Sequence, residues 1–229
     1  KIPFADQEIE QFTNTYKATY DFAKDALKQF DIVKGDKIAY WYDEENYVDG
    51  GGSLNNSCMA SVGSDYFDIY TQNSQVSLVI LYGDGGSIES EKYTDSKIKG
   101  RAILWDAKLD GQPVKFMDRI YYVYDHDVNV FKDWARENGY ISKWEQSAKS
   151  ELLFDVDGSP TRMKLYVLPE NYDFNWYPYF DTFKFYNQFK GRFSNSDYYD
   201  FSYVLTQSNG DVEREREPEQ DEYWDDEQN

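Results

Sequence analysis

The 229-residue chain reads as one α+β domain: a mixed, mainly antiparallel sheet with about three helices, spanning residues 1–210, followed by an acidic tail over 211–229. Three observations predict this. Short apolar runs bounded by Gly, Asn, Asp and Pro recur along the chain, as strands do. Two segments carry an apolar stripe at helical spacing. The 22 Tyr, 15 Phe and 6 Trp point to a core built on rings, whose OH and NH groups need partners when buried.

The elements follow in order. From Asp6 to Phe30 the run "DQEIEQFTNTYKATYDFAKDALKQF" predicts an amphipathic helix with Ile9, Phe12, Tyr16, Ala23 and Phe30 on one face and Asp6 as its cap. "KIAYWY", Lys37 to Tyr42, is expected as a short strand, and Asp49 to Gly63 as a Gly, Ser and Asn loop. "DYFDIYTQ" and "QVSLVILYG" read as strands. A hairpin follows over roughly Ile98–Trp105 and Val114–Tyr122, turning at Asp110-Gly111. With those two as the turn residues, Leu109 faces Gln112, Trp105 faces Phe116, Ile103 faces Asp118 and Arg101 faces Ile120. Arg101 and Asp118 are then diagonal neighbours on one face, placed for an ion pair. "DVNVFKDWARENGY" predicts a helix ending at Asn138-Gly139. "ISKWEQ" and "TRMKLYVLP" are expected strands around the turn "DVDGSP", "DTFKFYNQFKGRF" a short helix, and "YDFSYVLTQ" a last strand.

Charge limits the partners. Forty-three Asp and Glu against 24 Lys and Arg give −19. Duplex nucleic acid binds clustered cations, so it is an expected non-partner, as is an acidic membrane surface. A basic protein surface suits the charge, including one that normally holds nucleic acid. No apolar run approaches the ~20 residues of a membrane helix. The single cysteine, Cys58, allows no internal disulfide, and a reducing, cytoplasmic setting is expected. From Asp211 ten acids and two arginines form a like-charged block of the kind that stays unfolded and serves as an interaction tail; Tyr223, Trp224, Asp225 and Asp226 are its candidate binding residues.

Few residues qualify for chemistry. A nucleophilic cysteine needs an imidazole base, and Cys58 with His126, the lone histidine, is the one available pair. Arg101 and Asp118 form either a structural ion pair or a substrate-orienting pair in a cleft. "DHD" around His126 has no second histidine to help hold a transition metal, and no metal or cofactor is expected. The run from Asp155 places Tyr166 where a calcium loop needs a glutamate. No phosphate-cradling loop or G-x-S-x-G elbow occurs.

The order strand, hairpin, helix, strand over residues 75–145 resembles the centre of GNAT-type acyltransferases, and "FKFYNQFKGRF" resembles the helical segment near the end of that fold. "YVYDHDVN" stands where that family cradles the CoA pyrophosphate, without glycine and with two acids, Asp125 and Asp127. The blocks "NNSCMAS", "DYFDIYTQ", "KGRAILWDA", "FMDRIYYVYDHD", "FKDWARENGY" and "YPYFDTFKF" are similar to an uncharacterised protein family of tailed phages and large DNA viruses, over roughly residues 40–195. That resemblance implies a viral setting, in the infected cell's cytoplasm or the virion, and carries no site residue. The expected function is a non-catalytic viral accessory protein that binds a basic protein surface, as a nucleic-acid mimic. Alternatives are an enzyme on a GNAT-like scaffold and a single-strand binder regulated by its tail.

Overall fold

The structure is a computed structural model and describes residues 9, 11–15, 29–83, 96–147, 152–196, 203–208 and 211–214. The fold is α+β, with a mixed, mainly antiparallel sheet. Thirteen strands are described: β1 (Phe30–Val33), β2 (Val76–Tyr82), β3 (Ile98–Leu109), β4 (Gln112–Met117), β5 (Tyr121–Tyr122), β6 (Ile141–Lys143), β7 (Leu153–Val156), β8 (Ser159–Arg162), β9 (Leu165–Val167), β10 (Phe185–Asn187), β11 (Arg192–Ser194), β12 (Tyr203–Ser208) and β13 (Asp211–Arg214). The helices are α1 (Lys37–Tyr40), α2 (Asp68–Thr71) and α3 (Asp127–Glu137), with helical residues also at Ile9 and 11–15.

Strand β3, twelve residues long, organises the sheet. Antiparallel β2 runs along one edge from Ile98 to Trp105, and β9 takes over that edge at Lys108 and Leu109. The other edge pairs with β5 at Gly100 and Arg101 and with β4 from Leu104 to Leu109. The parallel pair is β4 with β6, joined through α3. Outward from β9 the order is β11, β10, β12, β13; outward from β6 it is β7, β8.

Period-two alternation gives β3 two faces. Ala102 and Leu104 point to a layer with Val79, Leu81, Met117, Ile120, Phe131, Trp134 and Ala135, under α3. Gly100 belongs to this side, where an added Cβ would lie 2.6 Å from the Phe131 ring. Arg101, Ile103 and Trp105 point to the other face, which among the described residues is covered by loops and short turns. Its core holds Trp41, Tyr42, Tyr47, Phe67, Tyr70, Phe116, Tyr121, Tyr177, Phe180, Phe183 and Phe193.

The hairpin forms as read, with Leu109 opposite Gln112 and Trp105 opposite Phe116, and Asp110 and Gly111 at positive φ. The regular pairing stops at Met117. Asp118 still donates its N–H to Ile103 O, but Tyr121, not Ile120, then faces Arg101, so one extra residue is accommodated between them. Helix α3 lies within one residue of its expected span.

Several expectations are corrected. "KIAYWY" is a helical turn followed by Trp41, and "DYFDIYTQ" is a 3-10 turn running into α2. In both, β-branched and aromatic residues serve as ring anchors for the loop-covered core and not as a strand face. "FKFYNQFKGRF" is the β10–β11 hairpin, closed by Gly191 at positive φ and by Tyr186 stacked on Phe193 at 4.4 Å. Ile9 and Phe12, expected in a buried stripe, are exposed; 16–28 lie outside the described residues. Strand β13 occupies the start of the segment expected as an unfolded tail, and 215–229 lie outside the described residues.

Candidate functional site

Arg101 is fully buried on the loop-covered face, at 1% exposure. The loop over residues 48–63 makes this possible by lying against β5. Leu54 N–H bonds Tyr122 O at 2.9 Å, and Ser53 Oγ accepts from Tyr122 N at 3.1 Å. Gly52 is required at the contact: its φ is +81° and a Cβ there would stand 2.3 Å from Tyr122 O. The loop then delivers Ser57, whose Oγ accepts from Arg101 Nη2 at 3.0 Å. Arg101 Nε donates to Tyr47 Oη at 3.3 Å, and Tyr47 donates in turn to Tyr42 O. The guanidinium sits 3.6 Å from the centre of the Tyr42 ring and 4.7 Å from that of Tyr121. Rings compensate part of a buried cation's lost hydration.

Asp118, expected beside Arg101, has other partners. Its Oδ1 accepts from Thr182 Oγ1 at 2.6 Å and from Arg119 N at 2.8 Å. Buried Lys143 donates to Thr182 Oγ1 at 3.1 Å and to Asp181 O at 3.4 Å. Burial pushes the Asp118 carboxyl above its ordinary range; Lys143 opposes this and Asp181 adds to it. Asp181 is held by Arg119 Nη1 at 3.0 Å and by the Tyr121 hydroxyl at 2.8 Å. The expected Arg101–Asp118 ion pair is therefore not formed. The extra residue between β4 and β5 turns Asp118 toward the segment before β10, and Arg101 finds phenols instead.

These groups surround a cleft lined by Tyr42, Met59, Tyr70, Ile103, Asp118, Arg119, Tyr121, Tyr179 and Asp181, about 320 Å³ counting its open mouth. Its enclosed part has room for about one water. The segment that supplies Tyr179 and Asp181 is clasped on by Asn73, whose side chain accepts from Asn171 N at 2.8 Å and donates to Asn171 O at 2.8 Å.

Cys58 stands on the surface near this cluster, and its charged neighbours are Asp181, Arg101 and Arg119. Partial burial, helped by Asp181, raises its pKa, the opposite of thiolate activation. His126 belongs elsewhere. It is exposed at the start of α3, stacks on Tyr124 at 5.6 Å and lies 3.6 Å from Asp127. No hydrogen bond joins it to Cys58, so the two parts of the expected dyad serve different neighbourhoods. The first turn of α3 already holds an anion of its own, the buried Asp127 carboxylate, 3.9 Å from Lys99. A pyrophosphate would meet that charge. Among the described residues no cluster of three His, Cys, Asp or Glu side chains could hold a metal ion. Tyr223, Trp224, Asp225 and Asp226 lie outside the described residues.

The exterior has its own order. Of the 21 acidic and 16 basic residues whose side chains are described, 15 acids but only 7 cations are exposed. Arg101 and Lys143 are buried, and Lys99, Arg119 and Lys132 are half-buried against internal acids. Among the described residues four acids, Asp118, Asp127, Asp155 and Asp181, are buried too, but a smaller share of the acids than of the cations is drawn off the surface, which leaves the exposed set more acidic than the described sequence. Among the described residues no helix is long and apolar enough to cross a membrane.

Sequence reasoning missed Asp181, Thr182, Lys143, Tyr42, Tyr47 and Ser57. Each is far in sequence from the hairpin, and the signal that could have found them is the need of an inward-facing arginine for polar partners. No family model, curated protein or solved structure matches the chain.

Proposed function

We propose that this chain is a non-catalytic accessory protein, viral in origin, which works in the infected cell's cytoplasm or in the virion by binding a basic protein surface. The partner class is a nucleic-acid enzyme whose groove accepts the acidic exterior in place of phosphates. The observation that carries this reading is the sorting of charge on folding, 15 exposed acids to 7 exposed cations among the described residues. Most of these acids stand on the turns and loops of the fold, with Asp106 on β3 and Asp133 and Glu137 on α3, and such a charge distribution steers a basic partner. The viral setting rests on the sequence blocks alone.

The chemistry of the cleft agrees with a binding role. Asp181 is occupied by Arg119 and Tyr121, the nearby thiol is raised, and the imidazole lies apart. The test is titration into a basic nuclease or polymerase in increasing salt. Affinity is expected to fall at least tenfold between about 50 and 500 mM, where the screening length shrinks several-fold, and duplex DNA is expected to compete. Affinity unchanged across that range, or simultaneous binding of DNA in the groove, would sink the reading.

A further inference from the structure

Among the five described tryptophans, Trp41, Trp105 and Trp134 are buried, and half-buried Trp144 has the Lys132 ammonium 5.1 Å from its ring centre. Trp176 is the exception. It is 38% exposed, with the Tyr66 ring beside it at 5.5 Å, and among the described residues no cation stands over either ring. Other half-buried rings do receive one: Lys115 lies over Tyr140 at 5.2 Å and Arg192 over Tyr166 at 5.6 Å. The indole face attracts a cation better than any other side-chain ring, so Trp176 with Tyr66 presents an unused acceptor.

The sequence around the two rings explains the vacancy. They belong to segments 38–75 and 168–183, and neither segment contains a lysine, an arginine or a histidine. The segments are joined side by side: Asn73 and Asn171 clasp them, Ser74 Oγ donates to Glu170 Oε1 at 3.3 Å, and Tyr179 N donates to Met59 Sδ at 3.3 Å. Together they carry seven of the 15 exposed acids, five between Asp43 and Asp65 with Glu170 and Asp173, and none of the 7 exposed cations. Lys34 reaches their margin and donates to Ser74 O at 2.9 Å; Arg101 and Lys143 are buried beneath, and Arg119 is taken by Asp181. Asp65 and Asp173, close in sequence to the two rings, have no ion pair among the described residues.

We propose that the Tyr66–Trp176 surface is where a basic protein partner docks, and that it receives an arginine side chain from that partner. The ring pair takes the guanidinium, and Asp65 and Asp173 supply counter-charge. Arginine fits better than lysine, because its planar, weakly hydrated guanidinium stacks on an aromatic face while an ammonium holds its water. The proposal rests on the reading that the partner is a basic protein, and it names the face that meets it. That face is the loop-covered one; on the α3 side Lys115 and Arg136 are exposed and oppose a basic surface. Scattered acids steer a partner inward, and a ring pair set among them fixes where it comes to rest.

The experiment labels the full chain with 5-fluorotryptophan and titrates nona-arginine and nona-lysine at low salt. Six ¹⁹F signals are available, from Trp41, Trp105, Trp134, Trp144, Trp176 and Trp224. Trp144→Phe, Trp176→Phe and Trp224→Phe assign the three that decide. Saturable movement of the Trp176 signal by nona-arginine, with Trp144 unmoved, is the expected result. Nona-arginine should bind about threefold more tightly than nona-lysine, and Trp176→Ala should weaken it about threefold, the scale of an exposed cation–π contact. Calorimetric binding that leaves Trp176 unmoved, or that moves Trp224 alone, overturns the docking site while the acidic exterior stands as a partner surface. Equal affinity for the two peptides, or wild-type affinity in Trp176→Ala, overturns the docking site too. No binding of either peptide overturns both readings. Should the alanine variant fold poorly, the ¹⁹F titration of the unaltered chain decides alone.

Discussion

The two faces of β3 are built from alternate residues of one strand, yet they solve burial in different ways. Under α3, Ala102 and Leu104 meet Phe131, Trp134 and Ala135, and side-chain volume is the main constraint. On the opposite face Arg101 and Trp105 meet phenols, and Asp118, Asp181 and Lys143 are buried beside them. That face is constrained by polar satisfaction, because each donor or carboxylate left alone there keeps its desolvation cost. A helix can cover a sheet with an apolar stripe; loops bring backbone and polar side chains, so the face they cover must be wired as well as filled.

The largest expected effect attacks only the wired face. Burial holds the phenols of Tyr42, Tyr70 and Tyr121 well above their ordinary pKa, with Arg101 opposing this at Tyr42 and Asp181 reinforcing it at Tyr121. In the unfolded chain these groups lose their protons near 10. Above that pH the unfolded state binds fewer protons than the native one, so stability falls as pH rises, by about 4 kcal/mol per pH unit for three such phenols. After the exposed tyrosines have ionised, a last fraction of tyrosinate absorbance should therefore appear together with the loss of far-UV circular dichroism, in one cooperative step above about pH 10. Ionisation of all 22 tyrosines with the dichroism intact would show that the ring-built face is open to water.

Asp181→Ala comes next. It strips Arg119 and Tyr121 of their shared acceptor, and breaking a buried pair from one side costs about 3–5 kcal/mol. A urea midpoint that scarcely moves would mean that water reaches the cluster and replaces the carboxylate. The smallest effect belongs to the other face. Gly100→Ala pushes a methyl against the Phe131 ring at 2.6 Å, an overpacking cost of about 1–3 kcal/mol. Phe131→Leu in the same chain should return part of that loss. If the double variant is merely additive, volume does not rule the helix face and the contrast between the faces fails.

The same contrast explains what could be read from the residues. The hairpin register, α3 and the α+β class follow from local signals: an Asp-Gly turn, alternation, and a stripe ended by Asn138-Gly139. The loop-covered face was illegible because its partners come from afar. Ser57 reaches Arg101 across 44 residues, Thr182 reaches Asp118 across 64, and Asn73 reaches Asn171 across 98. Local propensity also misled there. Tyr40, Trp41, Tyr42 and Tyr70 suggest strands by composition, but they act as wedges on short turns packed into the ring core. Arg101 stands out in the sequence but its partners do not, since one extra residue before β5 redirects Asp118.

Strand β3 also dictates an order of assembly. Strand β2 stops at Val76 opposite Trp105, which leaves Lys108 and Leu109 as the berth for β9. Strands β11, β10, β12 and β13 then follow outward, each resting on the one before it. A chain emerging from the ribosome can close β2, β3 and β4 early, but this second wing has no place to begin until Leu165 has been made. Until then the end of β3 is an unclaimed edge, the kind of surface on which two nascent chains pair by mistake. Folding of this protein should accordingly be slower and more concentration-sensitive than its local hairpin alone would suggest.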